Sequence, residues 1–77
     1  MQPHISINLK IGERIRDLRL MKQLSQETLA NMAEIDRTYM TGVESGKRNV
    51  SVKILEKIIT ALNISYKDFF NHPNFEI

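Results

Sequence analysis

Seventy-seven residues limit the chain to one small domain, and an apolar share of 42% is too high for disorder. With no cysteine there is no disulfide or thiolate metal site, and with no long apolar run there is no membrane span or signal peptide, so the chain reads as cytoplasmic. The net charge of +2 excludes little, but residues 10–22 hold five of the eleven basic side chains (Lys10, Arg14, Arg16, Arg19, Lys22), and Lys47-Arg48 forms a second group. Localised basic groups suit a nucleic-acid partner and a solvated surface alike.

Residues 1–6 read as a loose end, with Pro3 as a breaker. A first helix starts between Ser6 and Leu9. Ile11, Ile15, Leu18 and Lys22 share its stripe, with Arg14 and Arg19 at the edges. Lys10, Arg14, Arg16 and Lys22 read chiefly as solvated charges, with phosphate contact as the lesser alternative. Four later segments repeat one device, a small polar residue bracketed by apolar residues one before and four after. Ser25 stands between Leu24 and Leu29, Asp36 between Ile35 and Met40, Ser51 between Val50 and Leu55, Ser65 between Ile64 and Phe69. The polar residue caps a helix and the apolar pair staples its first turn. The repeats predict helix starts near 26, 37, 52 and 66. Residues 72–77, with Pro73, read as a second loose end. The result is an all-α, compact five-helix domain.

The helix from 37 is unusual. At 100° per residue, Met40 and Val43 form its inner stripe, while Thr38, Thr41, Gly42 and Ser45 face outward and Arg37 and Tyr39 stand at the edges. An ordinary solvated face favours Lys, Glu and Gln, which are better helix formers. Small hydroxyl residues and a glycine imply a close approach by something outside. The preceding helix has Gln26 and Glu27 in its first turn and Leu29, Ala30 and Ala33 inside, and about three residues join the two. Such a pair is a helix-turn-helix, whose second helix enters the DNA major groove. Arg37 can read guanine, Thr38 and Thr41 can meet a thymine methyl or a hydrogen-bonding edge, and Lys47, Arg48 and Asn49 can meet phosphates.

The segment "SQETLANMAEIDRTYMTGVESGKRNVS" resembles the lambda-repressor-like helix-turn-helix regulators, whose core reads Ser/Thr-Gln-Glu-x-Leu-Ala and then Glu-x-Gly. The resemblance runs from about Ile11 to Phe70. Within that family "DRTYMTGVESGKRNVS" is most similar to the controller proteins of restriction–modification systems. The resemblance implies a homodimer that binds palindromic operators at its own promoter, with RNA polymerase as a further partner, in the bacterial nucleoid. A phage or mobile-element repressor and a toxin-binding antitoxin are the alternatives. The expected domain spans 1–77, with its core at about 9–70, the helix-turn-helix at about 25–45 and dimerisation helices at about 52–70. Where the family commonly ends its first two helices on glycine, this chain has Gln23 and Glu34. Either these accept a left-handed conformation, or the turns differ.

Expected DNA contacts are Gln26, Arg37, Thr38, Tyr39, Thr41, Ser45, Lys47, Arg48 and Asn49. By resemblance, Gln26 also braces the recognition helix. Tyr39 meets DNA or lies half-buried against the domain. Arg37 has Glu34 as its rival partner. Glu44, which would repel phosphate, is expected to pair with Arg14 or Arg19. Ile54, Ile58, Ala61, Tyr66 and Phe69 are expected at a two-fold dimer interface, since helices four and five carry more apolar surface than one neighbour needs; the alternative is that Phe69 and Phe70 fill the domain's own core. His4 and His72 stand near the ends and in no catalytic pattern, so no enzyme, metal or cofactor is indicated.

Overall fold

The computed structural model describes residues 6–76; Pro3 and His4 lie outside them. Five helices follow in order: α1 Ile7–Met21, α2 Gln26–Ala33, α3 Arg37–Glu44, α4 Val52–Ala61 and α5 Tyr66–Phe70. The Ser25, Asp36, Ser51 and Ser65 side chains accept backbone N–H groups of Thr28, Thr38, Ile54 and Asp68. Ser6 caps α1 in the same way, through Asn8 N–H. The apolar residues before the four later caps, Leu24, Ile35, Val50 and Ile64, are half-buried against the core. Both halves of the predicted capping device are therefore present.

The same apolar residues also close helices. Gln23, Glu34 and Asn63 take φ of 59°, 58° and 55°. The next N–H then reaches back five residues: Leu24 to Arg19 O, Ile35 to Ala30 O and Ile64 to Ile59 O. A left-handed residue, an apolar residue and a cap thus end one helix and begin the next in three residues. Gln23 and Glu34 adopt the left-handed conformation despite their Cβ atoms, at a cost of about 1 kcal/mol each. Asn63 joins them, and a short polar side chain tolerates that region better.

Met40, Val43, Ile15, Leu29, Ile58, Ile59, Leu62 and Phe69 form the fully buried centre. The long α1 lies along α3, and α2 packs on both α3 and α4. Gly12 makes the α1–α3 approach possible: a Cβ there would stand 2.6 Å from the Glu44 carbonyl oxygen and closer still to that of Val43. This close packing fixes the tilt of α3 from behind.

Lys22, the C-cap of α1, is exposed, in keeping with a solvated charge. Three expectations are corrected. Arg14 is no solvated charge: its Nε donates to Phe69 O and its Nη2 to Asp68 O, each at 2.9 Å, tying α1 to α5. The C-terminal residues described are not loose. Pro73–Phe75 form a 3-10 turn, Asn74 donates to Lys10 O, and the Phe75 ring stands 5.0 Å from Phe70. Pro73 opens this turn, where its missing N–H is no loss. Finally, Ile58 and Phe69 have no exposed surface, because α4 and α5 turn them into the protomer's own core. They cannot offer surface to a second subunit.

Candidate nucleic-acid interface

The outer face of α3 follows from what its inner face must bury. Met40 and Val43 are 0% and 1% exposed, so the helix has one possible rotation, and Arg37, Thr38, Thr41 and Ser45 point outward and are exposed. Arg37 Nη1 stands 3.9 Å from Glu27 Oε2, so its acidic neighbour is Glu27 in place of the rival Glu34, and both side chains are 67% exposed. So open a pair contributes at most about 1 kcal/mol and yields readily to a stronger partner.

Gly42 has a different reason for being small from the one its position suggests. The Arg48 side chain crosses it, and a Cβ at Gly42 would lie on the Arg48 Cγ. Arg48 continues over the Tyr39 ring, with its Cζ 5.4 Å from the centroid. Tyr39 is half-buried, and its hydroxyl donates to Asn49 O at 3.1 Å. Asn8 Nδ2 in turn donates to Asn49 Oδ1. The segment 47–49 is thereby folded back along α3, with Lys47, Arg48 and Asn49 all exposed beside the hydroxyl face. Gly46, at φ 76°, makes that return possible: Lys47 and Arg48 N–H both reach Gly42 O.

Behind the face lies a polar clamp. Glu44 is 6% exposed and Arg19 8%. Arg19 Nε donates to Glu44 Oε2 at 2.7 Å and Nη2 to Oε1 at 3.0 Å, a bidentate pair, while Nη1 donates to Leu24 O at 2.7 Å. Of the two expected arginine partners, Arg19 is the one present. Gln26 completes the clamp: its Nε2 donates to Glu44 Oε1 at 3.0 Å, and its Oε1 accepts from Thr41 Oγ1 at 2.9 Å. One glutamine thus joins the start of α2 to the last turn of α3. This bracing leaves one amide hydrogen of Gln26 uncommitted at the half-buried rim.

Arg16 belongs to this surface too. It lines a shallow cleft with Gln26, Thr41 and Ser45. The sequence offers it only as a lesser candidate for phosphate contact, because it is the packing of α1 on α3 that brings it there. On the far side, Val52, Leu55, Ile59, Tyr66 and Phe70 line an open apolar groove between α4 and α5. Val52, Tyr66 and Phe70 are 85%, 55% and 41% exposed, and Ile54 and Ala61 are half-buried. Among the described residues no three or more His, Asp or Glu side chains group to hold a metal.

A helix-turn-helix family model matches residues 15–69. Control protein C.MunI from Mycoplasma sp is 42% identical over 66 residues, covering 84% of this chain and 89% of that protein. The restriction-modification controller protein C.AhdI from Aeromonas hydrophila has a similar crystal structure, with a TM-score of 0.80 and 47% identity over 86% of this chain and all of that one. The controller C.Esp1396I, solved as a tetramer in complex with its natural 35 base-pair operator, gives a TM-score of 0.82 at 37% identity, covering 87% and 88% of the two chains.

Proposed function

This chain belongs to the helix-turn-helix regulators and, among them, to the control proteins of restriction–modification systems; from that premise we propose how it binds its operator. It works by binding rather than catalysis. A homodimer places two copies of α3 in successive major grooves, roughly 34 Å apart, on a palindromic site. Arg37 reads guanine O6 and N7 at the N-terminal end of α3, and Thr38, Thr41 and Ser45 meet the neighbouring base edges. Lys47, Arg48, Asn49 and Arg16, with the free amide hydrogen of Gln26, take phosphates on either side. Tyr39 supports Arg48 and anchors the 47–49 segment. The observation that carries the reading is the outward rotation of α3, which leaves a hydroxyl face with a basic margin and no apolar partner.

The two-fold contact is assigned to the exposed walls of the groove, Val52, Leu55, Tyr66 and Phe70, with Ile54 and Ala61 beside it. Ile58 and Phe69, without exposed surface, support an assignment to these outer residues. RNA polymerase is the partner through which a dimer bound at a promoter in the bacterial nucleoid acts on transcription.

The test is selection of binding sites from random duplexes, repeated with Arg37→Ala. The wild-type chain selects a palindrome, and the variant relaxes one symmetric pair of positions by about 1–3 kcal/mol. Equal loss of affinity for every duplex, with the motif unchanged, removes Arg37 from base reading.

A further inference from the structure

Thr41 ends a chain of hydrogen bonds that runs in one direction. Glu44, paired with Arg19, only accepts: its Oε2 takes Arg19 Nε, and its Oε1 takes both Arg19 Nη2 and Gln26 Nε2. The Gln26 amide must therefore turn its nitrogen to Glu44 and its oxygen to Thr41, because the reverse would set two acceptors against each other. Thr41 Oγ1 lies 2.9 Å from Gln26 Oε1 and 3.1 Å from Arg37 O. Both of these are acceptors. A hydroxyl has one hydrogen, so that hydrogen points inward whichever partner it takes. The exposed side of Thr41 keeps only an oxygen lone pair and a methyl group. Thr38 differs: among the described residues its side chain makes no hydrogen bond, so its hydroxyl can give or accept.

We propose that Thr41 determines operator specificity as an acceptor only. It selects an exocyclic amine at the base edge it faces, adenine N6 or cytosine N4. It disfavours an edge that presents only acceptors, as guanine O6 and N7 or thymine O4 do. Glu44 and Gln26 fix this polarity from behind without touching DNA bases. The inference rests on the operator-binding reading above and deepens it by one position of the half-site.

Site selection with the wild-type chain, Thr41→Val and Thr41→Ser tests it. Thr41 is on the surface, and valine keeps its shape and its methyl group while replacing the hydroxyl with a second methyl. The wild-type half-site carries adenine or cytosine at one position. Thr41→Val weakens that preference about threefold to tenfold, the size of one hydrogen bond, and leaves the rest of the motif intact. Thr41→Ser keeps it. If valine keeps the preference and serine loses it, a thymine methyl contact replaces the proposal. If valine relaxes a guanine or thymine, the hydroxyl donates and the polarity is wrong. An unchanged motif in both variants overturns the inference alone, whereas a wild-type chain with no motif overturns the operator reading with it.

Discussion

Removing the Glu44 carboxylate is expected to cost a large part of the domain's stability. In Glu44→Ala the Arg19 guanidinium stays inside, 8% exposed, with Leu24 O as its remaining partner. Breaking a buried pair in this way costs about 3–5 kcal/mol, because one charge is left uncompensated. A chain of this length has roughly 4–12 kcal/mol in all, at about 0.05–0.15 kcal/mol per residue. With a urea slope of about 1 kcal/mol/M, the midpoint falls by about 3 M or the chain fails to fold. Replacing both partners, as Arg19→Met with Glu44→Leu, restores stability to within about 1 kcal/mol of wild type, since an apolar pair has no desolvation penalty. The folded double variant still binds DNA less tightly, because Gln26 has lost its anchor. Urea unfolding followed by helical circular dichroism measures the first effect and titration with operator duplex the second. A loss under about 1 kcal/mol in Glu44→Ala would falsify the clamp, for it would mean that Arg19 reaches water as an exposed pair does.

Gly12→Ala is a contest of two signs. Alanine gains about 1 kcal/mol of helix propensity in α1, but its Cβ meets the Val43 and Glu44 carbonyl oxygens, and overpacking costs about 1–3 kcal/mol. Backbone oxygens cannot rotate aside, so thermal unfolding should show a lower Tm; a higher one means that α1 slides off α3 freely. Arg16→Ala weakens binding to every duplex equally and reduces the salt slope by about one unit, read from titrations at several salt concentrations. A changed base preference would instead place Arg16 in the groove. Phe70→Glu puts a charge into the α4–α5 groove without entering the core. Sedimentation should then show monomers with unchanged helix content, and a variant that remains dimeric moves the interface elsewhere.

The helix starts were legible because capping and stapling are local. Ser25, Asp36, Ser51 and Ser65 carry their signal within a few residues of the boundary. The outward rotation of α3 was legible for the same reason, since Met40 and Val43 set it alone. What stayed hidden depends on distant segments. No short-range pattern separates Arg14, which ties to α5, from Arg16, which stays open, or selects Arg19 over Arg14 for Glu44. The burial of Ile58 and Phe69 was misjudged because counting apolar residues on α4 and α5 does not say which of them the neighbouring α2 and α1 cover. Gly42 shows a further limit. Its smallness signals close approach, but the body that approaches is the chain's own Arg48. The C-terminal turn escaped because Pro73 breaks an α-helix as readily as it opens a 3-10 turn.

Arg37, Thr38 and Ser45 hold no place in the interior, and the frame that presents them is closed by Met40, Val43, Gly12 and the Arg19–Glu44 pair. Reading head and chassis are therefore separable. On the proposed operator reading, substitutions at those three surface positions retarget the protein while leaving its folding untouched, so two such systems share one cell without their regulators crossing over. Thr41 is the exception: wired to the frame through Gln26, it is the least free of the four to drift.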